Sequence, residues 1–200
     1  MNANPVALKE WASAIQTLTE GRMIMLMRKG GIEEETRRFE LKSPSFYLYP
    51  TYEHQRAELL KEPYRPLVSQ TLEAGSADSA VVSLNAYAEA VADLEVHDLN
   101  QLECLYPYHI WSEGLASERL RWKAKEPLHI LLLRVYVPEA PAIIQVRPEY
   151  SGCRSWIELE SPPEAGNLRP VLGDEEFRIR KEEIISALGQ QQAEKSAKRG

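Results

Sequence analysis

The sequence predicts an α+β fold, a mostly antiparallel or mixed curved sheet flanked by about four helices in a single domain. Three observations carry this. Apolar runs of strand length outnumber helical patterns. The strongest of them, Leu128 to Val137, is bounded by Pro127 and Pro138. Lys29-Gly30-Gly31 is a turn signal between two strand-like segments, because glycine takes positive φ without cost. At 200 residues, with 44% hydrophobic and 27% charged residues, the chain is an ordinary globular composition able to bury a core without staples.

Taken in order, Leu8, Trp11, Ala12, Ile15 and Leu18 fall at helical spacing and predict a first amphipathic helix closed by Gly21. Met23 to Met27 is a buried strand, and Arg38 to Lys42 alternates as its returning partner. Phe46 to Tyr49 is a short strand ended by Pro50. Thr51 is placed to cap a helix running to Leu60. Pro63, Pro66 and Gly75 make Lys61 to Ser79 a surface connection. Ala80 to Leu84 is a strand, and Tyr87 to Val96 has an ambiguous period. Asp98 caps a helix through Leu99, Leu102 and Leu105, ended by Pro107. His109-Ile110-Trp111 opens a segment leading to Arg119, Arg121 and Trp122. Pro141 to Val146 and Ser155 to Leu159 are two more strands. A last helix carries Ile184, Ile185 and Leu188. The domain is expected to span residues 1–188, with a polar, disordered tail over 189–200.

Composition excludes some functions. The net charge of −6 argues against a broad duplex-binding face, which needs a local excess of Lys and Arg. Cys104 and Cys153 are far apart and form no metal-type pair, so no metal and no cofactor are expected. Both thiols are expected reduced, in a cytoplasmic protein. The N-terminus has no signal-peptide pattern, and Met23–Met27 and Ile130–Leu133 are too short to cross a bilayer, so no membrane partner is expected.

The densest polar cluster follows Pro50: Thr51, Glu53, His54 and Gln55. A histidine is suited to proton transfer at neutral pH and an adjacent carboxylate can tune it, which makes His54 and Glu53 candidates for general base and carboxylate. The alternative is that both serve the local fold. Arg28 and Lys29 beside the glycine turn have the chemistry to hold a phosphate, although no Gly-Lys-Ser/Thr loop follows. His109, Trp111, Arg119 and Trp122 interleave rings with cations, which suits stacking on a base beside a phosphate. Arg134 sits in an apolar strand and is either on its polar face or buried and paired. Glu40-Leu41-Lys42 has the Glu-x-Lys form of metal-dependent nucleases, but it lacks the second acid.

Leu8-Lys-Glu-Trp11, Leu26-Met-Arg-Lys-Gly-Gly-Ile32, Tyr49-Pro-Thr-Tyr-Glu-His-Gln55, His109-Ile-Trp111, Leu131-Leu-Leu-Arg-Val-Tyr136 and Tyr150-Ser-Gly-Cys-Arg-Ser-Trp156 together resemble a bacterial family catalogued as domain of unknown function 1802. The resemblance covers all but the tail. It implies no established reaction. It does imply association with restriction-endonuclease-type domains, and hence DNA modification or defence. Similar chains often carry His near Lys42, so a site needing that histidine is incomplete here. The expected function is therefore an accessory domain that recognises a nucleotide or nucleic acid. The alternatives are a small metal-dependent hydrolase or phosphoesterase built on His54, Glu53 and Glu40, and a protein-interaction module.

Overall fold

In the computed structural model, residues 5–29, 39–75, 79–152, 154–160 and 167–197 are described, with side chains through Gln190. Most of the expected tail thus lies where only the backbone is described.

The first described element is a strand, β1 (Val6–Trp11), which then turns into α1 (Ala12–Thr19). The expected helix from Leu8 is corrected in its first turn. Leu8 and Trp11 at i and i+3 fit either element. What decides is pairing on both sides, parallel to β3 (Ser45–Thr51) and antiparallel to β8 (Trp156–Glu158). Ala7 and Leu8 on opposite faces of β1 are both fully buried. That is the signature of a strand between two packed layers rather than of an amphipathic helix.

Met25–Arg28 form β2, as expected. The returning strand is not found. Residues 30–38 lie outside the described set, and Phe39 to Ser43 carry no strand. Phe39 is instead a plug, 5.4 Å from the His129 ring and 6.3 Å from the Trp156 ring. The expected helix from Thr51 to Leu60 is also absent. β3 continues through Pro50 to Thr51, opposite Glu10 and Trp11. It pairs with β5 (Tyr87–Val96) only over Ser45–Tyr47, so the missing N–H of Pro50 is tolerated where the strand has lost one neighbour. The surface connection contains α2 (Pro66–Ala74), with Pro66 at its first position, where a missing N–H costs nothing.

β5 resolves the ambiguous period as a ten-residue strand, bulged between Ala90 and Ala92. α3 (Leu99–Cys104) is capped by Asp98, which accepts a bond from the Gln101 N–H at 3.1 Å. α4 (Glu113–Arg121) is capped by Ser112. β6 (Leu128–Pro138) is the spine, pairing with β2, β5 and β9 (Leu168–Pro170). α5 (Asp174–Ala197) ends the described chain.

The main sheet has seven strands in the order β2-β6-β5-β3-β1-β8, with β9 added on β6. A small hairpin-like sheet pairs β4 (Val81–Leu84) with β7 (Ala142–Gln145). The large sheet is rolled. Arg28 on its β2 edge reaches Lys9 and Glu10 on β1, four steps along the pairing order. Inside the roll sit Leu8, Phe46, Leu48, Leu131 and Leu133. The opposite faces of β1, β3 and β8 pack Ala7, Tyr47, Tyr49 and Ile157 against Val82 and Leu84 of the small sheet.

Candidate functional site

The polar cluster after β3 is scaffold at its inner end and solvent at its outer end. Gln55 is buried. Its Oε1 accepts from the Ser13 N–H at 3.3 Å and its Nε2 donates to Thr71 Oγ1 at 3.1 Å. It therefore supplies, from a distant segment, the N-terminal cap that α1 lacks in its own sequence. Tyr52 lies so close to Gly75 that any Cβ there would overlap its hydroxyl. Glu53 and His54 form an exposed turn, and His54 sits at φ 63°, in the left-handed region. Thr51 pairs with Trp11 at the end of β3. Glu40 and Lys42 are exposed on irregular backbone. Among the described residues no group of three or more His, Cys, Asp or Glu side chains could hold a metal.

The expected phosphate-binding cations point inward. Arg28 Nη1 binds Glu10 Oε2 at 3.1 Å and the Lys9 carbonyl at 3.2 Å, with Glu10 almost fully buried. The guanidinium of Arg119 lies 5.5 Å from the Trp11 ring and 5.1 Å from the Trp111 ring, and its Nη1 donates to the Met27 carbonyl at 3.2 Å. Burial lowers its pKa, with Glu10 opposing that shift. Lys29 Nζ donates to the Leu120 carbonyl at 2.6 Å, and burial lowers its pKa as well. These groups tie β1, β2 and α4 together under the rolled sheet.

Two other expected site residues lie elsewhere. Arg134 leaves its strand to bind Asp174 at 2.6 Å and the Gly173 carbonyl at 3.3 Å, over the Phe177 ring. It anchors the start of α5. Trp122, 48% exposed, stands at the C-terminal end of α4. His54, Arg28, His109 and Arg134 therefore do not share one cleft.

The structure does bring His109, Trp111 and Arg119 together, and it adds Lys61. The chain around Leu60 bridges to Trp111. The Lys61 N–H donates to Ile110 O at 2.9 Å, and the Ser112 N–H donates to Leu59 O at 2.8 Å. This holds Lys61 beside the turn Tyr106–Tyr108, where Nζ donates to the carbonyls of Tyr106 and His109 and lies 3.8 Å from the centre of the Tyr106 ring. Burial pulls the Lys61 pKa down to about 8.

His109 is only 2% exposed, wedged between the rings of Tyr106 (5.6 Å) and Trp111 (5.8 Å). Burial, then the charges of Lys61 and Arg119, push its pKa down to about 3, so the ring is neutral at physiological pH. Neither ring nitrogen makes a hydrogen bond of full geometry, and a looser contact with the Trp111 backbone opposes the downward shift. The ring lines a pocket of about 250 Å³ between α3 and α4. Leu99, Leu102 and Ala116 form its apolar walls, Tyr106 one side, and Glu103 and Glu113 its charged groups.

The matched motifs now have a place. The chain belongs to the family described as Domain of unknown function (DUF1802), whose model matches residues 7–183. The match runs from β1 into α5 and includes the α3–α4 pocket. Among solved structures, the chain is similar to an ASCH protein from Zymomonas mobilis. The TM-score is 0.46 at 15% identity, over 78% of this chain and 88% of that one. Two single-substitution variants of that protein match at TM-scores of 0.44 and 0.41, with 12% and 11% identity, covering 78% and 80% of this chain and 91% and 90% of theirs. No curated protein matches the chain.

Sequence reasoning overlooked Glu10, Lys61, Tyr106, Glu103 and Glu113. The available signal was the run Tyr106-Pro-Tyr-His-Ile-Trp111, where proline punctuates a dense set of rings around a histidine.

Proposed function

We propose that this protein is a cytoplasmic recognition domain that holds one planar heteroaromatic ring, the base of a nucleoside or of an unstacked nucleotide, in the α3–α4 pocket. The observation that carries it is the α3–α4 cavity with the neutral His109 imidazole in its wall, a buried ring whose nitrogens make no hydrogen bond of full geometry. A neutral imidazole offers one donor and one acceptor. Leaving such groups buried and unpaired costs about 1–3 kcal/mol, and a ligand that pairs them recovers that cost.

Size points the same way. Sites for drug-sized ligands run to about 300–1,000 Å³. A pocket of about 250 Å³ suits one ring system better than a whole nucleotide. Apolar walls and the Tyr106 ring give such a ring its packing, and the edge groups give it orientation. A base-recognising pocket fits the DNA-modification or defence context that the family resemblance implies. The free thiol of Cys104, which donates to the Asn100 carbonyl, fits a reducing compartment.

The hydrolase reading has less behind it. It needs His54 to converge with Glu53 and Glu40, and these lie on an exposed turn and an exposed irregular segment.

Thermal melts and calorimetry with a panel of bases, nucleosides and nucleotides test the proposal. The wild type should be stabilised by at least one member. His109→Phe should retain its melting temperature, because an apolar ring replaces an unpaired polar one, yet lose the ligand response. A panel that never binds, even at millimolar concentration, overturns the reading.

A further inference from the structure

One place in the molecule holds more positive charge than it pairs. Arg28 on β2 and Arg119 in the last turn of α4 both approach Glu10 on β1. Glu10 is almost fully buried and both of its oxygens are taken. Oε1 accepts from the Trp11 N–H at 2.9 Å, and Oε2 from Arg28 Nη1 at 3.1 Å. Arg119 therefore has no ion pair of its own among the described residues. Two guanidiniums share one carboxylate, and the charge of Arg28 works against that of Arg119. Lys29, next in the chain to Arg28, adds a third cation, with Glu126 acting on it. Arginines elsewhere are matched to acids, Arg134 to Asp174 and Arg178 to Glu175 and Glu182.

Arg119 is also held in place. Its guanidinium packs on the Trp11 and Trp111 rings, 5.5 and 5.1 Å from their centres. Its Nη1 donates to the Met27 carbonyl on a neighbouring strand, not to a carbonyl of its own helix end. That leaves Nε and Nη2, the in-plane edge that a guanidinium offers to an oxyanion. Neither has a hydrogen-bond partner among the described residues, and neither is shut off from solvent as Arg28 Nε is. Arg28, Lys29, Arg119 and Trp11 are each half-buried, so the cluster reaches the surface.

We infer that this edge of Arg119, backed by the charges of Arg28 and Lys29, binds a phosphate group outside the α3–α4 pocket. A cation fixed in a partly dry place without a counter-charge costs free energy that an anion returns. A guanidinium already held by two indoles loses little freedom when the anion arrives. One planar fork satisfies a carboxylate. A tetrahedral phosphate presents oxygens in several directions, which suits cations converging from β2 and α4. The site stands whether or not the α3–α4 pocket holds a base. A free phosphate ester and the backbone of a single strand share the required chemistry.

Titration calorimetry on the full chain, at constant ionic strength in chloride, tests this with inorganic phosphate, acetate, ribose 5-phosphate and a short single strand of deoxythymidylate. Phosphate should bind the wild type with a Kd on the order of 1 mM, and acetate should bind far more weakly. Arg119→Lys keeps the charge but removes the fork, and should weaken phosphate about tenfold. Arg119→Gln should abolish binding. Thermal melts show whether each variant is folded at the assay temperature, and if Arg119→Gln is not, Arg119→Lys decides. A strand that binds more tightly than ribose 5-phosphate, with a steep loss in salt, supports the site and makes nucleic acid the source. A strand no tighter than ribose 5-phosphate supports the site and makes a free ester the source. Phosphate that does not bind, phosphate binding that survives in the folded Arg119 variants, or acetate that binds as tightly as phosphate overturns the inference. Phosphate binding beside a base panel that never binds overturns the base reading alone.

Discussion

His54 and His109 are two histidines of one chain placed in opposite circumstances. His54 heads the densest polar cluster in the sequence and ends up on an exposed turn with left-handed backbone. His109 sits in a run of rings, is 2% exposed, and stands in the wall of a pocket with neither nitrogen in a hydrogen bond of full geometry. The difference teaches that a crowd of ionisable residues along the chain is not a site. Solvent already satisfies an exposed imidazole, whereas burial gives an unpaired one a free-energy reason to meet a ligand. The same contrast separates Arg134, which reaches out to a fully exposed Asp174, from Arg119, held between two tryptophans.

The largest expected effect lies beneath the pocket region, where Arg28 and Glu10 are paired at 13% and 2% side-chain exposure. Arg28→Met should cost about 3 kcal/mol, because it removes the counter-charge that is hydrogen-bonded to the buried Glu10 and leaves it only the neighbouring Arg119. Adding Glu10→Leu to it should restore most of the loss. Urea denaturation measures both. A cost below about 1 kcal/mol for the single variant would mean that water reaches Glu10 and that the inward-facing polar group is not special.

Next in size is the acid sensitivity that His109 imposes. The unfolded chain binds a proton on this histidine near pH 6.5, while the folded protein keeps it neutral down to about pH 3. Stability contributed by the neutral ring is full above about pH 6.5 and falls as the pH drops through that window. By pH 4 the wild type should have lost on the order of 3 kcal/mol relative to His109→Phe. His129 acts with the opposite sign. Its hydrogen bond to Asp93 raises its pKa, so its contribution is full below pH 6.5 and fades above it. Comparing unfolding free energies of wild type and His109→Phe from pH 7 to pH 4 isolates the first effect. Parallel curves would show that His109 is hydrated in the folded state, and the comparison with His54 would collapse.

The smallest effect belongs to the β3 exit. His54→Gly should leave ligand binding intact and change stability by under about 1 kcal/mol, toward stabilisation, since glycine takes positive φ freely. One residue on, Gln55→Leu should cost about 1–2 kcal/mol by orphaning the Ser13 N–H. Loss of ligand binding in His54→Gly at full stability would put this turn back in the functional site.

Much of the frame was legible because it rests on local signals. The prolines around β6, the Asp98 cap and the short apolar run over residues 80–84 each act within a few residues. Where the sequence misled, the competing signal was long-range. Leu8 and Trp11 have helical spacing, but β3 and β8 claim them for a strand. Thr51 has the chemistry of a helix cap, yet β1 extends its strand to that residue, and the cap of α1 comes from Gln55.

The sequence by itself determined the α+β class, the position of the strongest strands and caps, the absence of a cysteine-based metal pair, and the residue types available for a site. Periodicity, φ preferences and side-chain chemistry act locally and survive in one dimension. Only the tertiary structure decided which of those residues form a site. The roll of the sheet turns Arg28 onto Glu10, and the pairing of Leu60 with Trp111 sets Lys61 beside His109. The packing of α3 against α4 encloses the imidazole. Burial and unmet hydrogen bonds are properties of neighbours far apart in the chain, and no local pattern encodes them.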